Sequence, residues 1–192
     1  MKIVFATNNA HKLREVQQLL GEEFEVVTPR ECGIVEDIPE EQPSLEGNAL
    51  QKARYIFERT GLDCFADDTG LEVEALGGEP GVRSARYATT EGHDDEANKR
   101  LLLKNMEGKT NRKAQFRTAM ALIVGGEEHL FEGIVRGEIL CSEQGDGGFG
   151  YDPLFQPEGY SCSFAEMPAE EKNAISHRGR ALAKLVAWLK ER

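Results

Sequence analysis

The sequence has no apolar run that reaches the roughly 18 residues of a membrane-spanning helix. The first residues, MKIVFA, have the apolar pattern of a strand. They lack the basic start, the long apolar stretch and the cleavage site of a signal peptide. From these two absences we expect a cytoplasmic protein that has no membrane partner.

Closely spaced cysteines are also absent. The chain has four cysteines, and none of them belongs to a CxxC motif: Cys32, Cys64, Cys141 and Cys162. Structural zinc sites and small disulfide frameworks use cysteines at short, regular spacings. We therefore expect neither of them, and reduced thiols in a cytosolic chain fit this spacing best.

Positive charge is scarce. The chain has 23 Lys and Arg against 34 Asp and Glu, which gives a formal net charge of −11. A protein whose main partner is DNA or RNA needs a basic surface to neutralise the phosphates, so we expect no nucleic-acid partner. A small phosphorylated ligand stays compatible, because a few lysines and a metal ion can offset the net charge within one site.

Strand-like and helix-like segments alternate through the first half of the chain. Short apolar segments at 2–6, 24–28 and 62–66 predict strands, and residues 8–20 between the first two have helical spacing. A second helix is predicted over 44–59, capped by Ser44. Its predicted apolar face consists of Leu45, Leu50, Ala53 and Phe57. This alternation predicts an α/β fold with a parallel or mixed sheet and flanking helices.

The second half of the chain has a different pattern. A helix is predicted over 94–106, and two long strands over 114–124 and 129–140 flank a Gly-Gly turn typical of a hairpin. The tail, 170–192, is predicted to be helical. Apolar residues make up 40% of the 192 positions, enough for one domain or for two lobes around a cleft.

The stretch FADDTG places Asp67 and Asp68 side by side directly after an apolar segment. Adjacent residues of a strand face opposite sides, so both carboxylates cannot enter one pocket if the strand continues through them. We expect the strand to end here, with one carboxylate turned outward or bonded to the next turn. The other would project at the C-terminal edge, where α/β sheets bind ligands. From these residues alone, two ordinary turn-forming Asp residues are an equal alternative.

Three further polar stretches combine residue types that bind phosphate or flat rings. ATNNAHK offers a helix N-terminus and Lys12 to an anion, without a Walker motif; an ordinary capped helix is the alternative. GDGGFGYDP joins close-approach glycines with Phe149 and Tyr151, and a flexible loop is its alternative. EEKNAISHRGRAL carries Lys172, His177 and Arg178, for which a solvated charged face is the alternative.

Together and in this order, these stretches resemble the inosine triphosphate pyrophosphatase family of house-cleaning nucleotide hydrolases. The resemblance covers nearly the whole chain and rests on FATNNAHKLREV, SLEGNALQKAR, FADDTGLEVEALGGEPGVRSARYA, GGFGYDPLF and EMPAEEKNAISHRGRAL. It implies a nucleoside triphosphate pyrophosphatase that hydrolyses the non-standard purine nucleotides ITP, dITP and XTP. The products are the monophosphate and pyrophosphate, and the reaction clears these nucleotides from the pool.

The resemblance also implies a fold, an assembly and a metal. The expected fold is an elongated mixed α/β sheet with flanking helices and two lobes around a central cleft, formed by residues 1–192 as a single domain. The expected assembly is a homodimer, and the expected cofactor is Mg²⁺.

The site residues implied by the resemblance fall into four groups. The metal ligands are Glu40 and Asp68, and Asp68 is also the catalytic residue. The phosphate-binding segment consists of Thr7, Asn8, Asn9, Ala10, His11 and Lys12. The base-binding run consists of Phe149, Gly150, Tyr151 and Asp152. The remaining substrate contacts are Thr69, Lys172, His177 and Arg178. The chain departs from the family in having SLEGNA where TFEENA is commoner, and Glu41 lies next to Glu40 in a variable loop.

Two other functions remain compatible with the sequence. A Maf-like nucleotide pyrophosphatase would use similar chemistry with another base preference. A non-catalytic module that binds purine nucleotides would keep the phosphate and base segments, but it would not need the metal carboxylates Glu40 and Asp68.

Overall fold

The computed structural model describes residues 1–89, 92 and 94–192, and they form two compact units. Unit 1 comprises Met1–Asp68, Thr118–Gly133 and Arg178–Arg192. Unit 2 comprises Thr69–Arg117 and Ile134–His177. The grouping of residues 1–192 into a single two-lobed domain stays a prediction.

The strands form one mixed sheet. They are β1 (Lys2–Phe5), β2 (Glu25–Val27), β3 (Cys64–Val73), β4 (Pro80–Gly81), β5 (Lys113–Val124), β6 (Glu127–Ile139) and β7 (Phe155–Pro157). Their order is β2-β1-β3-β5-β6-β7, and β4 pairs with β3. β1 runs parallel to β2 and β3, whereas β4 is antiparallel to β3 and β7 to β6. The predicted mixed α/β class is confirmed.

The helices are α1 (Ala10–Leu20), α2 (Leu45–Thr60), α3 (Asp95–Asn105), α4 (Ala169–Ile175) and α5 (His177–Lys190). The Ser44 cap of α2 is confirmed, because its hydroxyl oxygen accepts the Gly47 N–H at 3.0 Å. The prediction of a continuous helix over 170–192 was wrong. Ser176 has extended dihedral angles (φ −64°, ψ 154°) and separates α4 from α5. None of the helices in the described ranges is long and apolar enough to cross a membrane.

Unit 1 has its own apolar core between the sheet and helices α1 and α5. Phe5 of β1 and Phe65 of β3 stack at its centre, with ring centroids 4.6 Å apart. The buried face of α2 differs from the predicted one, since Leu50 and Phe57 are only half-buried. The residues that α2 buries are Leu45, Asn48, Ala49, Lys52, Ala53 and Ile56. Two polar residues therefore lie on the face that packs inward.

Unit 2 has a second core, built around aromatic residues. Phe116 of β5 contacts Phe155 edge-on, with ring centroids 4.6 Å apart, and stacks on Phe164 at 5.9 Å. The Gly-Gly hairpin between β5 and β6 is confirmed: Gly125 and Gly126 have φ values of 58° and 85°, as two-residue hairpin turns require.

The predicted end of the third strand near Asp67 was wrong. β3 runs through both carboxylates to Val73, because its second half pairs with β4. Gly70 permits that pairing, since a Cβ atom there would lie 2.5 Å from the Gly81 carbonyl oxygen. β1, in contrast, pairs only as far as Phe65. Asp67 and Asp68 therefore lie just past the end of β1, in the middle of β3.

Candidate active site

The predicted phosphate segment forms a helix start that Asn9 caps. Asn9 is the N-cap of α1, and its side-chain oxygen accepts the N–H groups of His11 at 2.9 Å and Lys12 at 3.2 Å. The Thr7 hydroxyl oxygen in turn accepts the Asn9 N–H at 3.1 Å. The segment thus holds a defined shape through its own side chains, and it brings the start of α1 and Lys12 beside β3.

Asp67 is the centre of a buried ionic network in unit 1. One of its carboxylate oxygens accepts a hydrogen bond from Lys12 Nζ at 3.3 Å, and the other accepts one from Arg178 Nε at 2.9 Å. Arg178 also donates through its terminal nitrogen to Glu15 of α1. The expectation that one carboxylate turns outward was wrong, because Asp67 is 0% exposed and Asp68 is 7% exposed.

The charges of this network hold one another in the ionised state. Burial alone would raise the pKa of Asp67, but the positive charges of Lys12, Arg178 and Lys52 hold it well below its usual range. Burial lowers the pKa of Lys12, and the neighbouring Asp67 charge opposes that effect. Asp67 is therefore a carboxylate at every physiological pH.

Asp68 lies in a second cluster, which α2 organises. Asn48 donates from its side-chain amide to Asp68 Oδ2 at 3.0 Å, and its side-chain oxygen accepts the Gln42 N–H at 2.8 Å. One turn further along the same helix, Lys52 Nζ forms an ion pair with Glu40 Oε1 at 2.6 Å and donates to the Asp67 carbonyl oxygen. The helix thereby fixes the acidic loop, which carries Glu40, next to the middle of β3.

The electrostatics of Asp68 differ from those of its neighbour. Burial raises the pKa of Asp68 to about 6, and the nearby negative charge of Glu40 adds to this effect against the opposing charges of Lys52 and Lys12. Adjacent residues of one strand thus have pKa values shifted in opposite directions. Pairs of that kind are typical of sites with acid–base chemistry.

The donor set around Asp68 fits a hard divalent cation. Glu40 and Asp68 both interact with the Lys52 ammonium group, and Glu40 raises the pKa of Asp68. A bound cation would favour the ionised form of both carboxylates. In the described part of the chain there is no group of three or more His, Cys, Asp or Glu side chains that could hold a metal ion. Two carboxylates are nevertheless sufficient for Mg²⁺, which completes its coordination with waters and substrate phosphates.

The predicted base-binding loop belongs to unit 2 and is held at both ends by α3. Lys99 Nζ pairs with Glu143 at 2.5 Å, before the glycines, and Asp95 Oδ2 accepts the Gly150 N–H at 3.3 Å. The turn itself closes when Asp152 Oδ2 accepts the Phe149 N–H at 3.1 Å. The loop is thus an ordered element, and the alternative of a purely flexible loop does not describe it.

Lys172 of α4 contributes a buried cation to this loop. Its Nζ lies 2.6 Å from Asp152 Oδ2, with both side chains buried, and 4.8 Å from the centre of the half-buried Phe149 ring. His177, at the start of α5, stacks on Phe116 with ring centroids 4.7 Å apart. Tyr151 donates its hydroxyl to the Ser84 carbonyl at 2.6 Å, and burial raises its pKa. Tyr151 is therefore an anchor of the loop, and Phe149 is the more exposed aromatic ring.

The predicted site residues form two sets. Unit 1 brings together the segment from Thr7 to Lys12 with Glu40, Asp68 and Arg178. Unit 2 brings together the run from Phe149 to Asp152 with Lys172 and His177, and Thr69 is its first residue, half-buried on β3. A cavity of about 830 Å³ elsewhere in unit 2 contains none of these residues; Glu72, Arg136 and Tyr160 are among those that line it.

Two buried residues of the Asp68 cluster were not predicted from the sequence. Asn48 and Lys52 lie within the SLEGNALQKAR stretch, but they carried no assigned role. Their spacing could have revealed them. They are four residues apart, on the helix face that otherwise buries Leu45, Ala49 and Ala53. A polar pair on such a face has to bind a buried partner.

The sequence and the fold both have close relatives. The model of the Ham1 family matches residues 3–188. A dITP/XTP pyrophosphatase of Flavobacterium psychrophilum is 49% identical over 190 residues, covering 99% of this chain and all of the relative. A protein of the same name from Porphyromonas gingivalis is 54% identical over 189 residues, covering 98% and 97%. The solved structure of a HAM1 protein from Coxiella burnetii has a TM-score of 0.91 at 37% identity, with full coverage of both chains.

Replacing Asp68 by Asn should stabilise the metal-free protein. Ionising a carboxyl group with a folded pKa of about 6 and a reference value of 3.8 opposes folding. The ionisation of Asp68 therefore lowers the stability of the wild type as the pH rises from about 4 to about 6, and Asp68→Asn lacks this contribution. We expect the variant to be more stable by about 1–3 kcal/mol at pH 7.5 and equally stable near pH 4. Urea unfolding in EDTA at both pH values measures this; a variant less stable at pH 7.5 would contradict the assignment.

Single Ala substitutions at Gly148 and Gly150 distinguish the cost of backbone strain from the cost of a steric clash in the base-binding loop. Both have positive φ values, 68° and 60°, which cost an Ala residue about 1–2 kcal/mol. An added Cβ at Gly148 would lie 2.2 Å from Asp152 Oδ2, whereas at Gly150 it meets nothing within 4 Å. Gly148→Ala should therefore lower the free energy of unfolding more than Gly150→Ala, as measured in urea. Equal losses would mean that the Asp152 contact does not constrain the loop.

Proposed function

Because the chain belongs to the Ham1 family, we propose that it is a nucleoside triphosphate pyrophosphatase that hydrolyses dITP, ITP and XTP to the monophosphate and pyrophosphate. The observation that carries the proposal is the buried cluster in unit 1, in which Glu40 and Asp68 adjoin Lys12 and Lys52. The dITP/XTP pyrophosphatase names of the relatives support the choice of substrate. Neither the Maf-like enzyme nor the non-catalytic module has comparable support.

We propose Mg²⁺ as the cofactor, with Glu40 and Asp68 as its protein ligands. The burial of Asp68, which raises its pKa, and the nearness of Glu40, which adds to this effect, support the choice, because a bound cation would stabilise both carboxylates in the ionised form. When bound, the ion would neutralise part of the phosphate charge and lower the pKa of the attacking water.

Asp68 is the proposed general base of the reaction. Water must lose a proton as it attacks the α–β anhydride of the triphosphate, and a base works best when its pKa lies near the working pH. The Asn48 hydrogen bond to Oδ2 gives the Asp68 carboxylate a fixed orientation for this role. Lys12 and Lys52 neutralise the charge that remains on the phosphates.

We assign recognition of the purine base to the unit 2 loop. Phe149, half-buried and contacted by the Lys172 cation, is the proposed stacking ring. Hypoxanthine and xanthine carry a keto oxygen where adenine carries an amino group. A hydrogen-bond donor directed at that oxygen would have no acceptor when adenine is bound. His177 is the side-chain candidate for this donor. Sites built on such hydrogen bonds reject the wrong base by roughly 10⁴-fold.

A homodimer in the cytoplasm is part of the same proposal. It follows from the resemblance to the family and from the cytosolic pattern of the sequence. Light scattering on the purified protein tests the assembly, and a mass of one chain at micromolar concentration would contradict it.

A nucleotide panel tests the activity. We expect dITP, ITP and XTP to release pyrophosphate in the presence of magnesium, with kcat/KM for ATP lower by roughly 10⁴-fold. EDTA should abolish release from every nucleotide. Similar rates on ITP, XTP, ATP and GTP would contradict the assigned base preference, and full activity in EDTA would contradict the metal.

Three single substitutions test the acid residues. Asp68→Asn should lower kcat by about 10²–10⁴-fold, the usual contribution of a general base. Glu40→Gln should weaken activation by magnesium. Glu41→Gln is the matched control, because that residue is exposed and its backbone N–H bonds to Gln51. If Glu41→Gln is impaired and Glu40→Gln is not, the metal ligand has been assigned to the wrong member of the pair.

A further inference from the structure

We propose that Asp67 is a positioning residue: it is the buried anchor that holds Lys12 ready for the phosphates, and it is not a metal ligand. The proposal rests on the proposed function, since Lys12 needs a phosphate to bind. Asp67 and Asp68 are adjacent, and the family resemblance assigns a role to Asp68 but does not explain Asp67. The contacts of Asp67 do.

Each carboxylate oxygen of Asp67 already accepts a hydrogen bond from a cation. Oδ1 accepts from Lys12 at 3.3 Å and Oδ2 from Arg178 at 2.9 Å, and the side chain is fully enclosed. Asp68 faces the other side of β3, as strand alternation requires, and its partner is the neutral amide of Asn48. A metal could reach Asp67 only by breaking one of its ion pairs inside the protein, whereas within the described residues no Lys or Arg nitrogen lies within 4.0 Å of the Asp68 carboxylate.

The two ends of the network are built differently. Arg178 is 2% exposed and is held by two carboxylates, Asp67 and Glu15. Lys12 is 16% exposed at its side chain, and its bond to Asp67 is longer than the 2.7–2.9 Å typical of a charge-assisted hydrogen bond. The arginine end is therefore rigid and the lysine end is loose. A loosely anchored ammonium group can turn toward a phosphate while its flexible side chain stays in position.

Positioning of this kind has a kinetic signature. Without the Asp67 charge, Lys12 and Arg178 would be neighbouring buried cations that repel each other, and Lys12 would leave its place. Because Lys12 binds phosphate before and during the reaction, its displacement should raise KM more than it lowers kcat. A misplaced binding group costs on the order of 10²-fold in kcat/KM.

A double-mutant cycle on kcat/KM for dITP tests the proposal. Asp67→Asn is made in the wild type and in Lys12→Met, which lacks the ammonium group. We expect a loss of about 10²-fold in the wild-type background, mostly in KM, and a loss of less than about threefold in the Lys12→Met background. An equal loss in both backgrounds, or no loss in either, would overturn the proposal.

Asp63→Asn is the matched control for the cycle. Asp63 precedes β3, outside the Asp67 network, and its carboxylate accepts the backbone N–H of Gly125 at 3.0 Å. The control should leave kcat/KM unchanged in both backgrounds. Asp67→Glu is run in parallel, since it keeps the charge but shifts it by one carbon–carbon bond; its loss should also depend on Lys12.

Circular dichroism and thermal unfolding confirm that each variant is folded. If neither Asp67→Asn nor Asp67→Glu folds, the proposal is wrong, because Asp67 would then be required for the fold itself. A wild-type protein that hydrolyses no nucleotide would instead refute the proposed function. An active wild type with independent effects of Asp67 and Lys12 would refute only the positioning role.

Discussion

The ion pairing of the buried Asp67 carboxylate is the constraint on which the unit 1 site depends. A carboxylate with no access to water is strongly unfavourable unless cations and hydrogen-bond donors surround it. Lys12 and Arg178 meet that need from two different helices, α1 and α5. The helices are thereby fixed against the middle of β3. The same contact positions the residues that are predicted to bind phosphate.

The charges of the cluster explain why the same site suits both a cation and a polyphosphate. Three cations, Lys12, Lys52 and Arg178, face four carboxylates, Glu15, Glu40, Asp67 and Asp68. Burial raises the pKa of Asp68 to about 6, whereas the cations around Asp67 hold its pKa well below the usual range. A divalent cation at Asp68 would reverse the sign of the excess, and a phosphate could then approach Lys12 and Lys52.

The sequence predicted the parts of this architecture that depend on local patterns. Helical spacing in α1, the Ser44 cap and the Gly125-Gly126 turn are all encoded within a few residues. The course of β3 was not predictable in this way, because the strands that pair with it, β4 and β5, lie eight or more residues away in the chain. Asn48 and Lys52 were overlooked for a related reason. The buried face of a helix is predicted from the spacing of its apolar residues, so a buried polar pair is recognised only once its partners are known.

A strand gives two adjacent acids different chemistry in a way that a helix or a turn does not. Alternation sends neighbouring side chains to opposite faces, so a single peptide unit separates the two environments. On one face the cations around Asp67 lower its pKa; on the other, burial and the nearby Glu40 raise the pKa of Asp68, which accepts a hydrogen bond from the Asn48 amide. Neither environment would survive a one-residue shift of β3, which would exchange the two faces. The register of β3 with β1, set by Phe5 and Phe65 in the core, is therefore what makes one Asp an anchor and the other a reactive group.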